Sequence, residues 1–261
     1  MALLAAKIII SFLLAVTITW FAERKSLHWG GIISSLPNVS ILIMFFLSLE
    51  QGAIFTANAA IYGVYGIMGN IFLASTVIFA TFYLSSIPAV LLGVLAYAIN
   101  GFIAIQFLPA NHFTALFSCL IVWLLFLFSW RNIPQVKVHQ VIQSKTQLII
   151  LQFFLIAFFI ILTTSLAPLV GEAWSGIIGA YPSITTTIGF IILLKYGGAE
   201  LRSFFAAAIF GWLATAVYIF SIAFTYPSFG VWSGTLLSFG IALVTVIVSK
   251  LIQKRCICFN G

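Results

Sequence analysis

Apolar stretches of about twenty residues, each closed by proline, glycine or charge, follow one another along the whole 261-residue chain. As helix, such a stretch covers about 30 Å, the depth of a bilayer's hydrocarbon core. Backbone placed in lipid must satisfy its own N–H and C=O groups, which leaves helices or closed barrels. Barrel strands alternate apolar and polar residues, and runs such as 148–162 have no such alternation. Composition agrees: 63% of residues are hydrophobic and 6% charged, where roughly a quarter charged is usual for soluble domains. The sequence therefore predicts an all-α polytopic membrane protein.

The breaks predict nine transmembrane helices, at about 3–22, 29–48, 54–82, 87–107, 112–130, 147–167, 173–194, 201–225 and 229–249. Ser85-Ser86-Ile87-Pro88, Leu108-Pro109-Ala110-Asn111-His112 and Tyr226-Pro227-Ser228 are typical closures. The first stretch lacks a clean small-x-small cleavage site before Arg24 and Lys25, so it reads as a retained helix. With nine crossings, ten of the eleven Lys and Arg residues fall on one side. These are Arg24, Lys25, Arg131, Lys137, Lys145, Lys195, Arg202, Lys250, Lys254 and Arg255, with Lys7 alone opposite. Basic residues in short loops mark the cytoplasmic face, which puts the N-terminus outside and the C-terminus in the cytoplasm. The net charge of +7 is thus a topology signal and not a nucleic-acid surface.

A repeat runs through this pattern. Trp29-Gly30-Gly31-Ile32-Ile33-Ser34-Ser35-Leu36-Pro37 returns 145 positions later as Trp174-Ser175-Gly176-Ile177-Ile178-Gly179-Ala180-Tyr181-Pro182. At the same offset Gly52 meets Gly197 and Gly66 meets Gly211. Each copy has one apolar helix before it and two after. The predicted organisation is a first four-helix repeat at 1–110, a linker helix and cytoplasmic loop at 111–145, a second repeat at 146–254, and a tail at 255–261. Four helices return a chain to its starting side, and the linker carries it across. This 4+1+4 order inverts the second repeat relative to the first, about an axis in the membrane plane.

Tyr196-Gly197-Gly198-Ala199-Glu200-Leu201-Arg202-Ser203, opening an apolar helix after Trp-x-Gly-Ile-Ile…Tyr-Pro, resembles the small four-helix GlpM-like bacterial membrane proteins. The chain looks like two such units in tandem, over roughly 1–110 and 146–254. The first copy departs from the pattern, with Thr56-Ala57-Asn58 at the place of Leu201-Arg202-Ser203. The resemblance implies a multi-pass protein of the bacterial inner membrane, with envelope-polysaccharide assembly proteins as possible partners.

The candidate site lies at the two prolines. Pro37 and Pro182 each fall about eight residues into an apolar helix, one entering from either side, hence at similar depth. A proline inside a helix removes a backbone hydrogen bond and bends or breaks it. Residues of N-cap type follow: Asn38 and Ser40, then Ser183, Thr185, Thr186 and Thr187. If both helices break, two half-helix N-termini meet and attract an anionic group. If they only bend, Ser and Thr hydroxyls relieve ordinary kinks. Asn58 is predicted to join the site near Glu50, a candidate gate or proton site. Asn70, Asn100 and two small-residue stripes, Ala59–Gly63–Gly66–Asn70 and Ala207–Gly211–Thr215, read as helix packing.

No catalytic motif or metal-ligand cluster is legible, so neither an enzyme nor a cofactor is expected. Cys256 and Cys258 in the tail read as plain thiols. The expected function is transport of a small or lipid-linked anionic solute across the bilayer. An anion channel, or a non-transporting subunit of an envelope-polysaccharide complex, are the alternatives.

Overall fold

Backbone hydrogen bonds are met inside helices almost everywhere in this protein. The structure, a computed structural model, describes residues 2–23, 27–130 and 146–257. Arg24, Lys25, Arg131, Lys137, Lys145 and Cys258 of the sequence argument lie outside the described residues. The elements are α1 (Ala2–Glu23), α2 (Leu27–Ser35), α3 (Asn38–Gln51), α4 (Ala53–Ala80), α5 (Ser86–Phe107), α6 (His112–Trp130), α7 (Thr146–Gly179), α8 (Ser183–Lys195) and α9 (Gly198–Ile257). No strand occurs among the described residues.

Among the described residues six stretches are long and apolar enough to cross a membrane: Gly30–Gln51, Ala53–Ala80, Ser86–Phe107, His112–Trp130, Ile149–Gly179 and Gly198–Ser249. Polarity runs opposite to that of a soluble fold. Leu91, Phe102, Phe117, Phe128, Phe154, Leu236 and Ile247 face outward, while Asn70, Asn100, Thr163, Thr215 and Ser238 are buried. An exterior of this kind suits hydrocarbon, and the whole fits a multi-pass membrane protein.

Two helices differ from the sequence boundaries for a local reason. α7 runs on through Pro168 and leaves helical geometry at Gly171, where φ is 75°. α9 passes through Pro227, expected to close a span, and turns at Gly230 with φ 77°. The Tyr226 hydroxyl meets Thr235 Oγ1 at 2.8 Å across that turn, and Thr225 meets Ser238 at 2.8 Å. Only glycine adopts such a φ without strain, so the corners fall there and not at the prolines. Unbroken, the 52 residues of Gly198–Ser249 would extend about 78 Å, far beyond one bilayer.

α4 forms the centre. Its apolar window is 78% buried, against 22% for α6 at the rim. α4 packs on α5, α7 and α9, and α2 packs on α9.

The contacts repeat at the offset seen in the sequence. A Cβ on Gly176 would overlap the Ala59 carbonyl and lie 2.8 Å from Gly63 N. A Cβ on Gly31 would overlap the Phe204 carbonyl and lie 3.3 Å from Ala208 N. Gly66 approaches Ala180 and Ile177, and Gly211 approaches Ser35 and Ile32. In every pair the partners are exchanged by moving 145 positions. The small-residue stripes thus chiefly receive the Trp-x-Gly-Ile-Ile helix of the other half. The register of these contacts runs α2 parallel to the first part of α9, and the end of α7 parallel to α4. Gly52 and Gly197, with φ 92° and 107°, form the matching corners that lead into α4 and α9.

Replacing Gly176 by Leu forces a side chain into the α4 backbone. Gly240→Leu, where nothing lies within 4 Å, is the control. We expect Gly176→Leu to cost at least about 1–3 kcal/mol, read as a lower unfolding midpoint in detergent, with Gly240→Leu near wild type.

Candidate functional site

Each proline breaks its helix outright. α2 ends at Ser35 and α3 begins at Asn38, while α7 ends at Gly179 and α8 begins at Ser183. Both interruptions close in the same way. Asn38 N–H donates to Leu36 O at 2.7 Å, and Ser183 N–H to Tyr181 O at 2.9 Å. Ile41 N–H then starts the new helix on Pro37 O, as Thr186 N–H does on Pro182 O, each at 2.8 Å.

A helix break exposes carbonyls on one side and N–H groups on the other. Here the two sides are treated differently. Ser34 O accepts from Thr185 Oγ1 at 2.8 Å, and Ser35 O from Thr215 Oγ1 at 2.9 Å. Ile33 O accepts from Asn38 Nδ2 at 2.8 Å. On the second break, Ile177 O accepts from the Tyr97 hydroxyl at 2.5 Å, and Ala180 O from Asn70 Nδ2 at 3.2 Å. The N-terminal ends receive nothing comparable. Pro37 and Pro182 occupy the N-cap positions, and no side chain caps either helix. The expectation that Asn38 or Ser183 would cap is therefore corrected. Both stand one residue too late, and Asn38 turns back to the α2 carbonyl instead. Two partial positive charges are left without side-chain compensation.

Between the breaks lies a cavity of about 30 Å³ lined by Ser34, Ser35, Ser40, Asn70, Tyr181, Pro182, Ser183, Thr185, Trp212 and Thr215, among others. That is room for about two water molecules. Ser183 Oγ and Asn70 Oδ1 are buried here without a hydrogen-bond partner. Of the residues the sequence nominated, Ser40, Pro182, Ser183 and Thr185 line the cavity, and Pro37 makes the first break. Asn38 and Thr186 tie off the chain ends beside it. Asn58 does not join them: its Nδ2 donates to Glu172 Oε1 at 3.0 Å, just after the Gly171 corner.

The sequence reads Asn70 and Thr215 as packing residues, yet each donates across to a broken helix, Asn70 to Ala180 O and Thr215 to Ser35 O. They stand 145 positions apart, as do their acceptors Ser35 and Ala180. Extending the repeat along the two stripes would have paired them, although Asn and Thr share no obvious identity.

A second polar group was also hidden. Lys7, expected at the edge of a span, is 4% exposed. Its ammonium pairs with Glu50 Oε1 at 2.5 Å, donates to Thr164 Oγ1 at 2.6 Å, and lies 5.8 Å from the Phe46 ring centre. It joins α1, α3 and α7. Glu50, nominated as a gate, is thus held by the one basic residue assigned to the opposite side from the other ten. No group of three or more metal-ligating side chains is found among the described residues.

No protein-family model, curated protein or solved structure matches the chain. What the fold defines is a class, an all-helical protein with several membrane-length apolar helices and a buried polar gap at two broken ones.

Removing one partner of a buried ion pair strands the other charge. Lys7→Met alone should therefore destabilise more than Lys7→Met combined with Glu50→Gln. A double-mutant cycle on unfolding free energies should give a coupling of about 1–3 kcal/mol.

Proposed function

We propose that the chain is a nine-span transporter of two inverted four-helix repeats, which binds a small or lipid-linked anionic solute between its broken helices. The observation that carries this reading is the unequal treatment of the breaks. Side-chain donors neutralise the exposed carbonyls, while the N-termini of α3 and α8 stay uncapped beside a buried cavity. Helix N-termini so arranged favour an anion, more strongly where water is scarce.

The inverted arrangement has its own support. Contacts exchange at an offset of 145, as two halves related by a two-fold axis require. α2 lies parallel to the start of α9, and the Gly52 corner turns α4 back against α3. α4 and the first part of α9 therefore run in opposite directions, which supports an axis across the helices and in the membrane plane. Counting a span at each broken helix and at the Gly171 and Gly230 corners gives nine. In this reading the N-terminus faces outward and the C-terminus the cytoplasm, in the inner membrane of a bacterium. The tandem is related to GlpM-like units.

Transport follows if one half rocks against the other about Pro37 and Pro182. Glu50, held by Lys7 where α3 ends, is then the outer gate. The solute is either free or carried on a lipid whose chain stays in the bilayer.

Pro37→Ala and Pro182→Ala let each helix run through its break and swing the N-terminal amides out of the gap. In proteoliposomes loaded in turn with phosphate, sulfate, chloride and a short-chain polyprenyl phosphate, efflux of the transported anion should fall at least about tenfold, or about 1.4 kcal/mol, in either variant. Folding, read by size-exclusion profile, should change less. Unchanged flux in both variants contradicts the rocking mechanism. Flux far above carrier turnover favours a channel. No flux for any of these anions, with a co-purifying envelope protein, favours the scaffold.

A further inference from the structure

We propose that the cavity selects an oxyanion that still carries a proton, such as hydrogen phosphate or bicarbonate, over a halide, a sulfate or a phosphodiester. This rests on the anion-site reading above and sharpens it from the hydrogen-bond capacity of the lining atoms.

Donors come first. In the first turns of α3 and α8 the N–H groups of Val39, Ser40, Ile184 and Thr185 have no side-chain cap, and the Ser183 hydroxyl, on a residue 3% exposed, has no partner. All of these can donate to anion oxygens. Asn70 is different. It is 1% exposed, and its Nδ2 donates to Ala180 O at 3.2 Å. That bond fixes the orientation of the amide, because turning it over would set carbonyl oxygen against carbonyl oxygen. Oδ1 is therefore fixed as an acceptor on a residue that lines the cavity, and it is unpartnered. A carboxamide oxygen cannot donate.

A bare anion fits half of this set. It takes the amide and hydroxyl protons, but its lone pairs oppose Oδ1, which stays buried and unsatisfied. A cation fits only Oδ1 and meets the positive helix ends. An oxyanion with one O–H fits both, accepting from Ser183 and the helix ends while donating to Asn70. Leaving a buried acceptor unpaired is costly, and sites built around one discriminate strongly against ligands lacking the matching proton. Room for about two waters takes two of the ion's oxygens, and the rest of the ion enters as the gap between the breaks widens. Trp212 and Ile67, both buried, furnish apolar wall.

The second half of the molecule provides the contrast. Thr215 makes the equivalent bond to Ser35 O without a carboxamide. Threonine at position 70 could hold Ala180 O in the same way and would present no carbonyl oxygen. The extra acceptor is the chemical difference between the halves at this position, and Asn70→Thr removes it while keeping the structural bond.

The test is equilibrium dialysis of radiolabelled inorganic phosphate and sulfate on the full chain in nanodiscs at neutral pH. The two ions share shape and similar charge, but only phosphate retains a proton there. Wild type should bind phosphate roughly ten- to a hundredfold more tightly than sulfate. Asn70→Thr should bring the ratio close to one, and Ser183→Ala should weaken both ions together. Equal binding of the two ions by wild type overturns the proton-selective inference and leaves the anion site standing. A preference for phosphate that survives in Asn70→Thr also overturns it. Binding of neither ion overturns the anion reading and this inference with it.

Discussion

Backbone groups released by a helix break find little room for water inside an apolar bundle, and this shortage organises the protein. Each break frees carbonyls, and the donors that meet them come largely from other helices: Thr185 and Thr215 for α2, Asn70 and Tyr97 for the end of α7. Such bonds are modest one by one but costly to leave unmade. They explain why the broken helices lie so close to α4 and α9, where glycines admit backbone against backbone. Close packing and polar satisfaction are one arrangement here.

The all-helical, apolar character was legible because it rests on period and composition, which are local. The places of the two breaks were legible for the same reason, since proline acts on its own helix. The chemistry of the breaks was only half legible. Thr185, Ser183 and Ser40 follow the prolines in sequence and do line the gap. Asn70 and Thr215 sit far along the chain, on stripes that any packing helix would show, and their partners appear only once the halves are apposed. Asn58 is close to Glu50 in sequence, but the two side chains take different partners. That carboxylate is engaged by Lys7, and the amide finds Glu172 instead. Lys7 itself was hidden by its place near a chain end, where a lysine ordinarily reaches the headgroups.

Residues 145 positions apart share backbone features and differ in their polar side chains. Gly52 and Gly197, the prolines and the closing hydrogen bonds of the breaks correspond at the 145-residue offset. Asn70 against Thr215, Asn38 against Ser183 and Leu36 against Tyr181 do not. Lys7 and Glu50 add a further asymmetry, because the offset places Gln152 and Lys195 at the matching positions.

The account depends above all on opposed orientation of the two halves, and locating the tails across the membrane tests that directly. In a chain with Cys119, Cys256 and Cys258 replaced by Ser, one new cysteine is placed at Ala2 or at Gly261 and treated with a membrane-impermeant maleimide on intact spheroplasts. The account predicts labelling of the first from outside and of the second only after the membrane is opened. Equal accessibility of both cysteines would mean an even number of crossings, and the opposed halves and their shared site would fall with it.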